Sequence, residues 1–306
     1  MDFIFKPAAF VIIILLGYVF KTIGFLEKKD VNIVTKLLLN VTLPAAVIEA
    51  FAQITINGNM LFIVVAGFLC SLLPMLIMYV LSVNSASDVR AFTMINMSGF
   101  NIGCFSLPFV QAFFGAKATV LACLFDTGNA IMMTGGSYAI TSTLLKTNPE
   151  EKNSPLAILM KFIKSFPFDV YILMLIISFC GFHIPQSILT LLNPIAQANS
   201  FLAMLMIGMM FNPQLNAVKV KLALKIVMVR LIFGGCFSLI LFNLPGFDLF
   251  TRQILSIIAF APASTLAPVY TVKCHGDGEL SSFTNSLTIF VSLVVMTIVT
   301  LRYIAV

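Results

Sequence analysis

Four groups of residues in this sequence have types and spacing that could do chemistry, and all of them fall inside apolar runs. The first two are Asn96-Met-Ser-Gly99-Phe-Asn101-Ile-Gly103-Cys-Phe-Ser-Leu-Pro108 and Ala261-Pro262-Ala-Ser264-Thr265-Leu-Ala-Pro268. The third is Phe125-Asp126-Thr-Gly-Asn129, and the fourth is the separated pair Glu49 and Arg230. Glycine and proline inside a helix free backbone N–H and C=O groups that hydrocarbon cannot satisfy, so such breaks persist only where they line a cavity or are buried in protein. A pair of packing kinks is the plainer reading. One break in each half of a chain is instead the pattern of a substrate site between two repeats. A half-helix that begins at a break directs partial positive charge and free N–H groups at whatever binds there, which is anion chemistry. The candidate anion ligands are Asn101, Gly99, Gly103 and Pro108 from the first break, with Pro262, Ser264 and Thr265 from the second.

A charge within a membrane segment is expensive and defaults to a functional hypothesis. Asp126 could bind a coupling cation, carry a proton, or hydrogen-bond the broken helix. Asn129, one turn further, offers an amide to a substrate carboxylate or an oxygen to Na⁺. Glu49 is expected nearer the outer face, at a vestibule, and Arg230 nearer the inner face, so a direct pair is not expected. Arg230 is either a secondary site residue or a long side chain that snorkels inward. Asp169 and Lys273 read as solvated anchors at segment ends.

These residues need apolar helices to carry them, and the composition supplies little else. Of 306 residues, 60% are hydrophobic and 10% charged, with a mean hydropathy of +1.05. That excludes a water-soluble domain and a disordered module. The net charge of +6 forms no face for nucleic acid, because the basic residues sit in short gaps between apolar runs. The 6 cysteines lie singly, without a Cys-x-x-Cys pair, and His183 and His275 are far apart, so neither a disulfide framework nor a metal site is indicated. No Gly-Lys-Ser/Thr phosphate loop occurs, hence no ATP motor. No cofactor is expected.

A helix needs about 20 mostly apolar residues to cross ~30 Å of hydrocarbon. Division at charges and turn residues gives ten spans near 5–24, 31–52, 60–82, 89–114, 117–145, 166–182, 186–211, 221–243, 250–273 and 280–303. The first is expected to be a retained helix rather than a cleaved signal. At 1.5 Å per residue, Asn101 and Pro262 each lie ~18 Å from the end of their span and Asp126 ~14 Å, so both breaks and the carboxylate reach mid-depth. With the N-terminus outside, thirteen Lys and Arg fall inside and four outside, Arg230 being set aside as intramembrane. Both termini are therefore expected outside a plasma or inner membrane. The hydrophilic segment 146–165 is a cytoplasmic linker between two five-helix repeats, 1–145 and 166–306. An odd number of spans per half requires inverted repeats.

The breaks in spans four and nine, Leu43-Pro44 in span two and Val229-Arg230-Leu231-Ile232 in span eight resemble the auxin efflux carrier family along essentially the whole chain. The resemblance implies a fold like that of sodium/proton antiporters. Helices 1, 2, 6 and 7 would form a scaffold, and helices 3–5 and 8–10 a moving transport bundle with broken helices 4 and 9 crossing. A homodimer through scaffold helices is implied by the resemblance alone. Gly99-Phe100-Asn101 departs from the adjacent Gly and Asn of many members. The short linker sets the chain apart from the plant carriers and closer to bacterial organic-acid permeases. The expected function is secondary transport of small carboxylate anions by elevator-like alternating access, with H⁺ or Na⁺ as the coupling ion at Asp126. Rival readings are a sodium-coupled bile-acid-type symporter or cation antiporter on this fold, and a non-transporting metabolite sensor. No catalytic dyad or metal cluster occurs within the spans, so an enzyme is not expected.

Overall fold

A computed structural model describes residues 2–27, 29–53, 58–147, 166–211 and 217–304. The described residues form eleven helices: α1 (Asp2–Thr22), α2 (Asp30–Phe51), α3 (Leu61–Leu81), α4 (Ser87–Met97), α5 (Ile102–Leu145), α6 (Phe166–Phe179), α7 (Gln186–Met210), α8 (Ala217–Phe242), α9 (Leu249–Ile258), α10 (Ala267–Lys273) and α11 (Gly278–Ile304). Among them, six helices (α2, α3, α5, α7, α8 and α11) are long and apolar enough to cross a membrane. Large apolar side chains such as Leu15, Val80, Leu191, Ile232 and Ile298 remain exposed on the outer surface, the reverse of a water-soluble protein. The chain is an all-helical integral membrane protein.

Of the four expected spans outside these six, one and six correspond to α1 and α6, whose apolar stretches Ala8–Thr22 and Phe166–Phe179 are shorter, and the other two are broken. The segments expected as spans four and nine are interrupted in mid-length, so α4, α9 and α10 are each too short alone. The second part of span four meets span five at Gly115, whose non-helical backbone (φ 72, ψ −155) breaks the helix, so α5 consists of two helical stretches, one on each side of that residue. Residues 148–165, which hold most of the expected linker and its lysines, lie outside the described residues.

The helices pack in two groups. In the first, α1 lies on α7, α7 on α2, and α2 on α6; in the second, α3 and α4 lie on α5, α8 on α9 and α11, and α10 on α4 and α11. The seam between the groups is formed by α2, α6 and α7 against α5. Small residues let the backbones of each group touch, as membrane helices require where no hydrophobic effect drives association. A Cβ on Gly208 of α7 would sit 1.9 Å from the Ile14 carbonyl oxygen of α1, and one on Gly128 of α5 would sit 1.8 Å from that of Val64 in α3.

Three π-helical turns interrupt α2 and α5, at Leu38–Thr42, Ile102–Ser106 and Met132–Gly136. Two have a direct cause in sequence. Pro44 and Pro108 follow the first two turns, and a proline has no N–H to return to the carbonyl four residues back. The chain widens by one residue instead, and the N–H groups of Leu43 and Leu107 bond to the carbonyls of Leu38 and Ile102. The third turn contains Gly135 at φ 152 and closes with a bond from Ser137 N–H to the Met132 carbonyl. All three turns contribute residues to one cavity.

Candidate functional site

The two helix breaks meet. After α4 ends, Ser98 is extended and Gly99 turns the chain at φ 70, a conformation that favours glycine. Phe100 then pairs antiparallel with Ala263, and the Asn101 N–H donates to the Pro262 carbonyl at 2.9 Å. The side chain of Asn129 acts as a clamp on this short pairing. Its Oδ1 accepts from the Phe100 N–H at 2.8 Å, and its Nδ2 donates to the Phe100 carbonyl at 2.9 Å. Ser71 of α3 donates to the same Oδ1 at 2.9 Å, and Nδ2 also reaches Asp126 Oδ1 at 2.8 Å. Two donors and two acceptor positions are thereby occupied. Asn129 is spent on the break, not free to face a ligand as its sequence position suggested.

The second break is held from α11. Thr288 Oγ1 accepts from the Ala263 N–H at 3.1 Å, and Asn285 Nδ2 donates to the Ser264 carbonyl at 3.1 Å. Ser264 Oγ accepts locally from the Leu266 N–H. At the N-terminus of α9, Asp248 caps the helix by accepting from the Thr251 N–H and hydroxyl and from Lys117. Burial alone would raise the Asp248 carboxyl, yet the Lys117 and Thr251 bonds hold it below the usual carboxylate range.

Arg230 does not snorkel to the surface. Its guanidinium donates to the carbonyls of Asn96 at 2.9 Å and Gly99 at 3.1 Å, and to that of Ala261 at 3.4 Å. It also lies 5.1 Å from the centre of the Phe100 ring. One cation thus satisfies carbonyls released by both breaks, at the negative end of α4. No bond joins it to Glu49, whose Oε1 accepts from Asn193 Nδ2 at 2.6 Å.

On the other side of the crossing lies a cavity of about 530 Å³ at the seam between the helix groups. Asn101, Gly103, Asp126 and Thr265 line it, facing Tyr171, Met206 and the first turns of α2. Its lining extends to the start of α2 (Val31, Asn32), the end of α7 (Met210) and Tyr270 of α10. Asn101 is 2% exposed, and its Nδ2 has no hydrogen-bond partner. A buried amide donor left unpaired costs about 1–3 kcal/mol. Asp126 is fully held: Asn129 reaches Oδ1, and the Tyr171 hydroxyl donates to Oδ2 at 3.2 Å. Tyr171 belongs to α6, so that bond crosses the seam.

The other residues singled out by sequence do not line this cavity. Gly99 supplies the turn, Pro108 the π turn, and Pro262 and Ser264 the backbone acceptors of the crossing. The Pro108 carbonyl accepts from Ser200 Oγ at 3.0 Å. Next to that bond, Thr42 donates to Asn199 Oδ1 at 3.1 Å and Asn199 to Gln111 Oε1 at 3.2 Å. This polar layer joins α2, α5 and α7. Beyond it a second cavity of about 430 Å³ holds Glu49. Sequence reading missed Tyr171, Ser71, Asn285 and Thr288. Asn285 had one signal, since Phe283-Thr-Asn285 occupies in the last helix the place that Phe125-Asp-Thr-Gly-Asn129 occupies in α5.

Comparison with known proteins points to membrane transport. Residues 3–302 match the profile of a family described as membrane transport protein. A protein of Methanothermobacter thermautotrophicus described as an uncharacterized transporter is 24% identical over 127 residues, 40% of this chain and 42% of that protein. The match thus spans less than half the length of that relative.

Proposed function

The chain belongs to the membrane transport protein family that includes the auxin efflux carriers, a transport protein and not an enzyme, and from that premise we propose that it is a secondary transporter of small organic anions. The observation that carries this reading is the unpartnered Asn101 amide, buried at the crossing and lining a cavity. A substrate carboxylate supplies the missing acceptor. Arg230, on the far side of the same crossing, adds positive charge to the field there. Thr265 offers a second hydroxyl contact from the other break.

The rest of the lining narrows the class. Its described residues include Leu39, Met133, Met206, Met210 and Leu266, with no Lys or Arg. A second carboxylate on the substrate would meet either that apolar wall or Asp126. A monocarboxylate with an apolar body therefore fits better than a dicarboxylate.

Asp126 makes the binding conditional. Two anions in one cavity repel each other strongly at low local dielectric, so the substrate binds best when Asp126 is neutralised. The neighbouring amide oxygen that Na⁺ would need, Asn129 Oδ1, is already taken by the Phe100 N–H and the Ser71 hydroxyl. A proton is the better partner, giving carboxylate–proton symport as the mechanism.

Ten spans in two inverted repeats account for the remaining features. Asn129 in the fifth expected span and Asn285 in the tenth each clamp the break of the preceding span. The group α1, α2, α6 and α7 supplies the scaffold, and the other helices supply an elevator-like bundle carrying Asp126 and Asn101 past Tyr171. The excess of basic residues near the start of α2 supports a reading in which that end of the molecule, where the cavity's lining extends, faces the inside of the cell membrane. A homodimer through the scaffold helices is part of this reading.

Liposomes containing the purified protein should take up labelled phenylacetate or lactate faster than malate, and uptake should accelerate when the lumen is made alkaline relative to the bath. Equal leakage of all three acids, matching empty liposomes, would remove transport of this class. For orientation, Cys180, exposed just beyond the end of α6, should react with an impermeant maleimide in intact cells. A Cys introduced at Ser154, outside the described residues, should react only after lysis. The opposite pattern would reverse the topology.

A further inference from the structure

The second cavity, beyond the Thr42–Asn199–Gln111 layer, is built for a different ligand. Glu49 is the one charged group among its described lining residues. The described ion pairs elsewhere use Lys29, Lys117 and Lys219, and no described Lys or Arg pairs with Glu49. Its Oε1 accepts from Asn193 at 2.6 Å, and Asn193 Oδ1 in turn accepts from Gln197 Nε2 at 2.9 Å. The relay turns amide donors toward the carboxylate, as a charge-assisted bond requires. It engages Oε1 and leaves Oε2 to the cavity; with Gln111 Oε1 taken by Asn199, Gln53 and Gln197 are the amides that bring oxygens to the same space.

We propose that this outer cavity is a binding site for a small monovalent cation, with Glu49 as its charged ligand and neighbouring amide oxygens completing the shell. A carboxylate substrate is repelled there by the same charge. A divalent cation of the Ca²⁺ type is poorly served by a single carboxylate among neutral ligands. The cavity lies between α2 and α7 on one side and α5 on the other. A cation bound in it touches both helix groups and stabilises the arrangement in which the polar layer is closed. The site is independent of the carboxylate site at Asn101.

Thermal melting of the purified full-length protein tests this. NaCl, KCl and methylammonium chloride are each titrated against N-methyl-D-glucamine chloride at equal ionic strength, with CaCl₂ as a separate arm. At least one small monovalent cation should raise the melting temperature saturably. Glu49→Gln should abolish that rise, and Asn101→Ala should keep it. Gln197→Leu, which retains the charge but removes the relay, should raise the half-saturating concentration several-fold; it also serves if Glu49→Gln fails to fold. The proposal is overturned by the absence of any saturable monovalent effect, or by saturation by CaCl₂ alone. An unchanged response in Glu49→Gln, or an unchanged half-saturating concentration in Gln197→Leu, overturns it equally.

Discussion

Arg230→Met should abolish recovery of folded protein, a larger effect than the loss of any single transport step. The guanidinium is the common donor to the carbonyls of Asn96, Gly99 and Ala261. Each hydrogen bond to a charged group is worth about 1.5–3 kcal/mol, and a buried acceptor left without a donor adds its own penalty. Losing three approaches the whole stability of a typical fold, about 5–15 kcal/mol. Arg230→Lys should fall between, because one ammonium cannot reproduce the planar fork that spans two helix breaks. Size-exclusion recovery and melting temperature measure this directly. A Met variant that melts like wild type would mean that the crossing is held by Asn129, Asn285 and Thr288 without it.

Asp126→Asn should separate exchange from accumulation. The amide mimics a permanently neutral side chain, so the repulsion between the carboxylate and the substrate is gone in every state. Wild-type affinity for a monocarboxylate should fall as pH rises, because the deprotonated Asp126 opposes the incoming anion. The variant's affinity should hold steady over the same range. A pH gradient should no longer drive accumulation in liposomes containing the variant, while exchange of labelled for unlabelled acid continues. Reciprocity requires this: if a proton strengthens anion binding, the anion strengthens proton binding by the same factor. Wild-type accumulation by the variant would leave the membrane potential as the driving force and Asp126 as a structural residue.

Hydropathy encodes position along a helix axis, and that is the part of the site legible in the sequence. The places of the breaks and of Asp126 within their apolar runs follow from counting residues alone. Pro44 and Pro108 are legible as disturbances, and the π turns follow from their missing N–H groups. Rotation about the helix axis is a different matter. Asn129 and Asp126 are one turn apart on one helix, yet Asp126 lines the cavity while Asn129 faces Phe100. That difference depends on how α5 sits against α3, which Gly128 fixes through contact with a distant backbone. Arg230 is ambiguous in sequence for the same reason, because its acceptors are carbonyls from two other segments. Tyr171 gives no signal, since one tyrosine in an apolar run is ordinary until the neighbouring carboxylate is known.

The proposed mechanism stands or falls with a carboxylate bound at the unpartnered Asn101 amide. Equilibrium binding of the labelled acid with the fastest liposome flux, to wild type and to Asn101→Ala, tests it most directly. Loss of a hydrogen bond to a charged ligand should weaken binding by about 1.5–3 kcal/mol, roughly 10- to 150-fold, with the melting temperature of the unliganded protein unchanged or raised. A folded Asn101→Ala variant that binds the acid with wild-type affinity would contradict this mechanism.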